Sequence, residues 1–116
     1  MNGMFNGCES LTKLDLSSFD TASATDMAYM FRDCKSLSAL TLSENFKGEK
    51  AKNMSYMFSG CSALTSLDIR NITFDKTTSY TDMLSGISST TTIYVSQKGA
   101  TFINEKIEQG YNLVTV

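Results

Sequence analysis

Apolar residues along the chain follow one pattern that occurs three times and then once more in a degraded form. In its second copy the pattern begins with Met30-Phe31-Arg32-Asp33-Cys34 and ends with Ala39-Leu40-Thr41-Leu42. The other copies begin at Met4, Met57 and Met83, so the period is 26 or 27 residues. Such a period is typical of repeat proteins, in which each unit buries its apolar face against its neighbours.

Each copy contains two local periodicities. Leu40 and Leu42 alternate with polar residues, which predicts a strand with one buried face. Before this strand, apolar residues at i, i+3, i+4 and i+7 predict a short amphipathic helix, formed by Met27, Met30, Phe31 and Cys34. We therefore predict an α/β fold: a right-handed solenoid like that of leucine-rich repeats, with one parallel β-sheet on one face and short helices opposite.

The repeats divide a single domain into four units and a C-terminal segment. The units cover residues 1–26, 27–53, 54–79 and 80–96, and residues 97–116 depart from the pattern. Lone apolar residues in the polar loops between units are expected to point inward as anchors, namely Phe19, Phe46 and Ile72.

The C-terminal segment is predicted to be a helix–strand cap. Ala100, Ile103 and Ile107 are spaced as one face of a helix. A final strand follows, in which Val114 and Val116 are expected to continue the columns of the fourth repeat. The first repeat has no matching cap. We therefore expect either that further repeats precede it or that two copies associate end to end there.

Charge and composition exclude several functions. The net charge of −2 provides no basic surface for nucleic acid, and no apolar run approaches the roughly 20 residues of a membrane-spanning helix. The chain has no His, and nothing encloses the carboxylates of Asp15 and Asp68, so an enzyme is not expected. Cys8, Cys34 and Cys61 form one column whose fourth member is Ile87, which favours buried free thiols over a metal site. No cofactor is expected.

The block M-F-x-x-C-x-S-L-T-x-L, as in Met4-Phe5-Asn6-Gly7-Cys8-Glu9-Ser10-Leu11-Thr12-Lys13-Leu14, resembles the repeat of BspA-like leucine-rich repeat surface proteins of bacteria. The resemblance covers about residues 1–96, and the C-terminal segment is also similar to the closing segment of that family. It implies a secreted or cell-surface protein that adheres to host proteins or to other cells.

Outward-facing strand positions are the candidate binding residues, because the concave sheet is the usual binding surface of a solenoid. Aromatic and Arg side chains there offer the strongest anchors for a protein or glycan ligand. The candidates are Lys13, Asp15, Thr41, Asp68, Arg70 and Tyr94. The same residues also fit an ordinary solvated face. Two other roles therefore stay open, a structural spacer and an intracellular interaction scaffold, and the free thiols fit the second of these.

Overall fold

Five short strands and one helical segment make up the regular structure in a computed structural model of the protein, which describes residues 1–116. In chain order the elements are β1 (Lys13–Leu16), β2 (Ala39–Leu42), β3 (Ser66–Asp68), β4 (Thr92–Val95), helix α1 (Gln97–Phe102), a π-helical turn (Ile103–Ile107) and β5 (Asn112–Thr115). The first four strands fall where the alternation of apolar and polar residues predicts them. The mixed α/β class is confirmed.

All strand pairs are parallel, but they form two sheets. β1 pairs with β2, and β4 lies between β3 and β5. The predicted columns are confirmed, since Leu14 lies opposite Leu40 and Leu67 lies opposite Ile93. The prediction of one continuous sheet is wrong, because no hydrogen-bonded ladder joins β2 to β3. The break coincides with the one repeat that is a residue longer than its neighbours.

The Met-Phe segments form successive β-turns, and the short helices predicted for them do not form. In the second repeat the N–H of Arg32 donates to the carbonyl of Tyr29, and that of Cys34 donates to Phe31. These i to i−3 bonds are those of turns. The backbone is left-handed at Tyr29 (φ 60°) and Asp33 (φ 58°), which a right-handed helix excludes. Consecutive turns nevertheless bury the same apolar positions that a helix would, namely Met27, Met30, Phe31 and Cys34.

Alternate N–H groups of these turns donate to the next repeat, at distances of 2.7–2.9 Å. We call each set of three such groups a donor row. The first row runs from Gly3, Phe5 and Gly7 to the carbonyls of Ala28, Met30 and Arg32. The second runs from Tyr29, Phe31 and Asp33 to Ser55, Met57 and Ser59. The third runs from Tyr56, Phe58 and Gly60 to Thr81, Met83 and Ser85. A helix would use these N–H groups internally, so the stacking of repeats explains why turns replace it.

The core lies between the turns and the strands. Phe5, Phe31 and Phe58 stack in one column, with ring centroids 5.7 and 5.3 Å apart. Phe46 and Ile72 are 1% and 2% exposed, which confirms them as inward anchors. Stacked rings add to the free energy of area burial, so this column couples neighbouring repeats energetically as well as geometrically.

Helix α1 attaches the C-terminal segment to the last repeats. It begins after Ser96, whose hydroxyl accepts a hydrogen bond from the N–H of Gly99 at 3.1 Å, as an N-cap does. Phe102, at its last position, stacks on Phe74 with ring centroids 4.5 Å apart. Tyr80 meets the edge of Phe102 at 5.4 Å. The predicted helix–strand arrangement of this segment is thus confirmed.

The register of β5 differs from the prediction by one residue. Leu113, and not Val114, lies opposite Ile93. A shift of one residue reverses which side chains of a strand face the core. Leu113 therefore packs against the core, while Val114 and Val116 are 38% and 57% exposed. Packing of the longer apolar side chain accounts for the observed choice.

Candidate binding surfaces

The six predicted candidates all lie on the outward side of the strands or directly after one. Lys13 and Asp15 are in β1, Thr41 is in β2, Asp68 is in β3, Tyr94 is in β4 and Arg70 follows β3 by two residues. Tyr94 is half-buried and the other five are exposed. Alternation along the strands explains this placement, because their neighbours in sequence face the core.

Asp68, Arg70 and Tyr94 form one cluster. The Arg70 Nε lies 2.9 and 3.0 Å from the two carboxylate oxygens of Asp68, and its Nη2 lies 2.9 Å from Oδ2. The Arg70 Cζ also lies 5.8 Å from the centroid of the Tyr94 ring, within the range of a cation–π contact. Hydrogen bonds and charge from Asp68 raise the pKa of Arg70. An exposed ion pair adds little stability, so its main effect is to hold the guanidinium against the ring.

Asp15 and Thr41 form a second, separate pair on this face. They lie directly opposite each other in the β1–β2 sheet. Hydrogen bonds from the side chain and then the backbone of Ser17 lower the pKa of Asp15. Lys13 lies opposite Ala39. Since β2 and β3 share no ladder, the predicted row of outward residues is divided into these two groups.

Sequence reasoning missed an aromatic platform on the turn side. The rings of Tyr29 and Tyr56 stack with centroids 5.1 Å apart, and the Arg32 Cζ lies 5.7 and 5.6 Å from them. All three side chains are half-buried. The repeat pattern could have indicated this platform, because Tyr29 and Tyr56 occupy equivalent positions in consecutive repeats. Gly3 holds that position in the first repeat.

A groove between the fourth repeat and the C-terminal segment was missed as well. It consists of two adjoining cavities of about 310 and 270 Å³. Both cavities are lined by Ser85, Glu108 and Tyr111. The Tyr111 hydroxyl donates to the carbonyl of Leu84 at 3.1 Å, which fixes one wall. Burial and the nearby Glu108 raise the pKa of Tyr111, so this hydroxyl stays a donor.

The cysteine column packs inward in part as the sequence predicts: Cys34 and Cys61 are buried, whereas Cys8 is half-buried. Cys8, Cys34 and Cys61 are all free thiols. The Cys34 and Cys61 thiols donate to the carbonyls of Phe5 and Phe31 at 3.2 and 3.0 Å. Burial raises the pKa of Cys34, and it raises the pKa of Cys61 to about 12. At neutral pH these two thiols therefore stay protonated, and a thiol is a much weaker nucleophile and metal ligand than a thiolate.

Comparisons with known proteins place the repeats in one family. A family model described as Mycoplasma protein of unknown function, DUF285, matches residues 1–97. Searches of curated proteins and of solved structures gave no significant match. No helix of the structure combines the length and the apolar character needed to cross a membrane.

Proposed function

The chain belongs to the DUF285 family, and we propose that it is a non-enzymatic binding module of a secreted or cell-surface protein. In this proposal the outward face of the strands recognises a protein or a glycan. The resemblance of the Met-Phe-x-x-Cys and Leu-x-Leu blocks to BspA-like adhesion repeats supports both the location and the role. The family description itself leaves the function open.

The proposal includes a finer architecture, a right-handed solenoid of the leucine-rich repeat type. The three donor rows support it, because they join consecutive repeats through equivalent backbone atoms. Parallel strands in matching register support it too. A solenoid presents successive strands as one extended surface, and such surfaces are where repeat proteins bind their partners.

The cluster of Asp68, Arg70 and Tyr94 is the observation that carries the proposal. Tyr and Arg are enriched among the residues that contribute most to the energetics of protein interfaces. Tyr buries a large area at a small entropic cost, whereas Arg has to be ordered. Here Asp68 holds the guanidinium 5.8 Å from the ring centroid, so little ordering is left for binding. Pairing a flat ring with fixed donors and acceptors suits a glycan as well as a protein.

The test uses arrays of glycans and of extracellular-matrix proteins, probed first with the unaltered chain. The double variant Tyr94→Ala with Arg70→Ala should lose at least about tenfold in affinity for whichever ligand is captured, as truncated interface anchors typically do. The melting temperature should change little, because Arg70 is exposed and Tyr94 is half-buried.

The turn side offers a matched control. Tyr56→Ala with Arg32→Ala removes a pair of the same chemistry, whose Cζ-to-centroid distance is 5.6 Å. Capture should survive in this variant. If the control loses capture and the Tyr94 variant keeps it, the sheet face is not the site. If the unaltered chain captures nothing on any array, the binding role is refuted and the spacer role is favoured.

A further inference from the structure

The strand β5 has an open main-chain edge. It is the last strand of the β3–β4–β5 sheet, with no neighbour on its far side. The N–H of Val116 donates to the carbonyl of Val95 at 3.0 Å, so Val114 and Val116 direct their main-chain groups toward β4. Main-chain groups of successive residues alternate in direction, and those of Thr115 therefore point away from β4. Thr115 is exposed, so its N–H and its carbonyl are open to a partner.

Exposed apolar side chains are concentrated beside this edge. Three large apolar residues of the chain are exposed, and two of them are Val114 and Val116, at 38% and 57%. Both lie on the outward face of the sheet, because they alternate with Leu113, which packs against the core. The third is Met4, in the first repeat, at 47%. An open edge flanked by exposed apolar side chains is a template for pairing with another strand.

No charged side chain protects this edge, although charges commonly do so at sheet edges. At the other end of the stacked repeats, β1 presents exposed Lys13 and Asp15. Residues 111–116 contain no charged side chain. The charged side chains of the C-terminal segment all precede β5, two positive and two negative, and they are Lys98, Glu105, Lys106 and Glu108. Two copies can therefore approach through β5 without net repulsion between these segments.

We propose that β5 pairs antiparallel with β5 of a second copy of this chain, about a two-fold axis at Thr115. In this register each Thr115 donates its N–H to the Thr115 carbonyl of the other copy. Val114 of each copy then lies opposite Val116 of the other, and such cross-strand pairs contribute about 0.2–1 kcal/mol each. One register thus satisfies the open main-chain groups and covers both exposed valines. The α-carboxylates of the two Val116 residues lie on opposite sides of the axis, roughly 10 Å apart, where salt screens them.

Pairing joins the two three-stranded sheets into one sheet of six strands. Tyr94 lies opposite Val114, so the outward face of the joined sheet carries the cluster of Asp68, Arg70 and Tyr94 twice. A ligand with two binding points gains affinity from both clusters. The pairing itself does not depend on whether the sheet face binds a ligand.

Sedimentation equilibrium of the unaltered chain tests for the dimer. Two four-residue strands bury less than the roughly 1,200 Å² of stable complexes, so the dimer is weak and the series extends to about 1 mM protein. The weight-average mass should rise with concentration from 12.7 kDa toward twice that value. A mass of 12.7 kDa at every concentration would overturn the proposal.

Thr115→Pro tests the exchanged main-chain bonds. It removes an N–H that the β4–β5 ladder does not use, a position where an edge strand accepts Pro. The variant should stay monomeric, and its amide NMR spectrum outside β5 should match that of the unaltered chain. The matched control Thr115→Val keeps the N–H and should still dimerise. If Thr115→Pro folds and dimerises as the unaltered chain does, β5 is not the interface.

Charge substitutions at the exposed apolar residues test the location even if Thr115→Pro does not fold. Val114→Lys should raise the dissociation constant of the dimer at least about tenfold, because it leaves a charge in the strand pair. The control Met4→Lys makes the same change at an apolar residue of similar exposure in the first repeat and should have no effect. The opposite result would place association at the first repeat and refute pairing through β5. Arg70→Ala should leave the dimer intact, so failure of this proposal and failure of the sheet-face proposal are distinguishable.

Discussion

Replacement of Gly60 by Ala tests how tightly neighbouring turns are stacked, and Gly7→Ala is its matched control. The two glycines occupy the same column and have nearly the same left-handed conformation, with φ of 79° and 75°. Their surroundings differ. A Cβ on Gly60 would lie 3.2 and 3.3 Å from the Cα and N atoms of Asp33 and would collide with its carboxylate. A Cβ on Gly7 would meet no atom within 4 Å.

The expected magnitudes follow from these surroundings. An Ala held in the left-handed conformation destabilises the folded state by about 1–2 kcal/mol. Ala also lowers the conformational entropy of the unfolded chain, which offsets about 0.4–1 kcal/mol of this loss. Gly7→Ala should therefore lower the free energy of unfolding by about 1 kcal/mol or less. At Gly60 the backbone of Asp33 can withdraw only by stretching its 2.7 Å bond to the carbonyl of Ser59. Overpacking of this kind adds about 1–3 kcal/mol, for a total of about 1–4 kcal/mol.

Urea denaturation of both variants measures this difference. The comparison requires that the slope of unfolding free energy against urea concentration is the same in both variants. A gap of about 1–3 kcal/mol between the variants is expected. Equal losses for Gly60→Ala and Gly7→Ala would show that the turns are not in backbone contact. The stacked donor rows would then be incorrect.

Three further outcomes are expected. Leu67→Asp should destabilise the protein by several kcal/mol because it buries a charge. The control Ser66→Asp, at the neighbouring outward position, should change stability by less than about 0.5 kcal/mol. Similar effects of the two substitutions would contradict the strand orientation. Burial raises the pKa of Cys61 from 9.0 to about 12, so the folded chain keeps a proton that the unfolded chain loses. Stability should fall above about pH 9, by up to about 1.4 kcal/mol per pH unit, and this slope should be smaller in Cys61→Ala. Tyr111→Phe should cost about 0.5–1.5 kcal/mol because the carbonyl of Leu84 loses a partner, and an unchanged melting temperature would refute this hydrogen bond.

The strands and their register could be predicted because a strand places alternate side chains on opposite faces. The position of Leu67 opposite Ile93 needed only the repeat period and this alternation. The turns could not be predicted from apolar spacing, because helices and consecutive turns both bury positions three and four residues apart. The sign of φ distinguishes them. Gly7 and Gly60, in the column of Asp33, were the sequence signal for left-handed backbone.

The candidate surfaces were predictable to different degrees. Outward alternation placed Asp68 and Tyr94 side by side, and the spacing of two residues brought Arg70 to Asp68. The groove could not be predicted, because it depends on which N–H groups neighbouring repeats use and on where the C-terminal segment lies. The one-residue shift of β5 illustrates the same limit, since it depends on packing of Leu113 against the core.

Side chains on the strands determine the specificity that we propose for the sheet face. Outward strand positions vary from repeat to repeat, so a ligand on the sheet face is selected by side chains such as those of Arg70 and Tyr94. Substitutions on the sheet face should therefore change which ligand is bound.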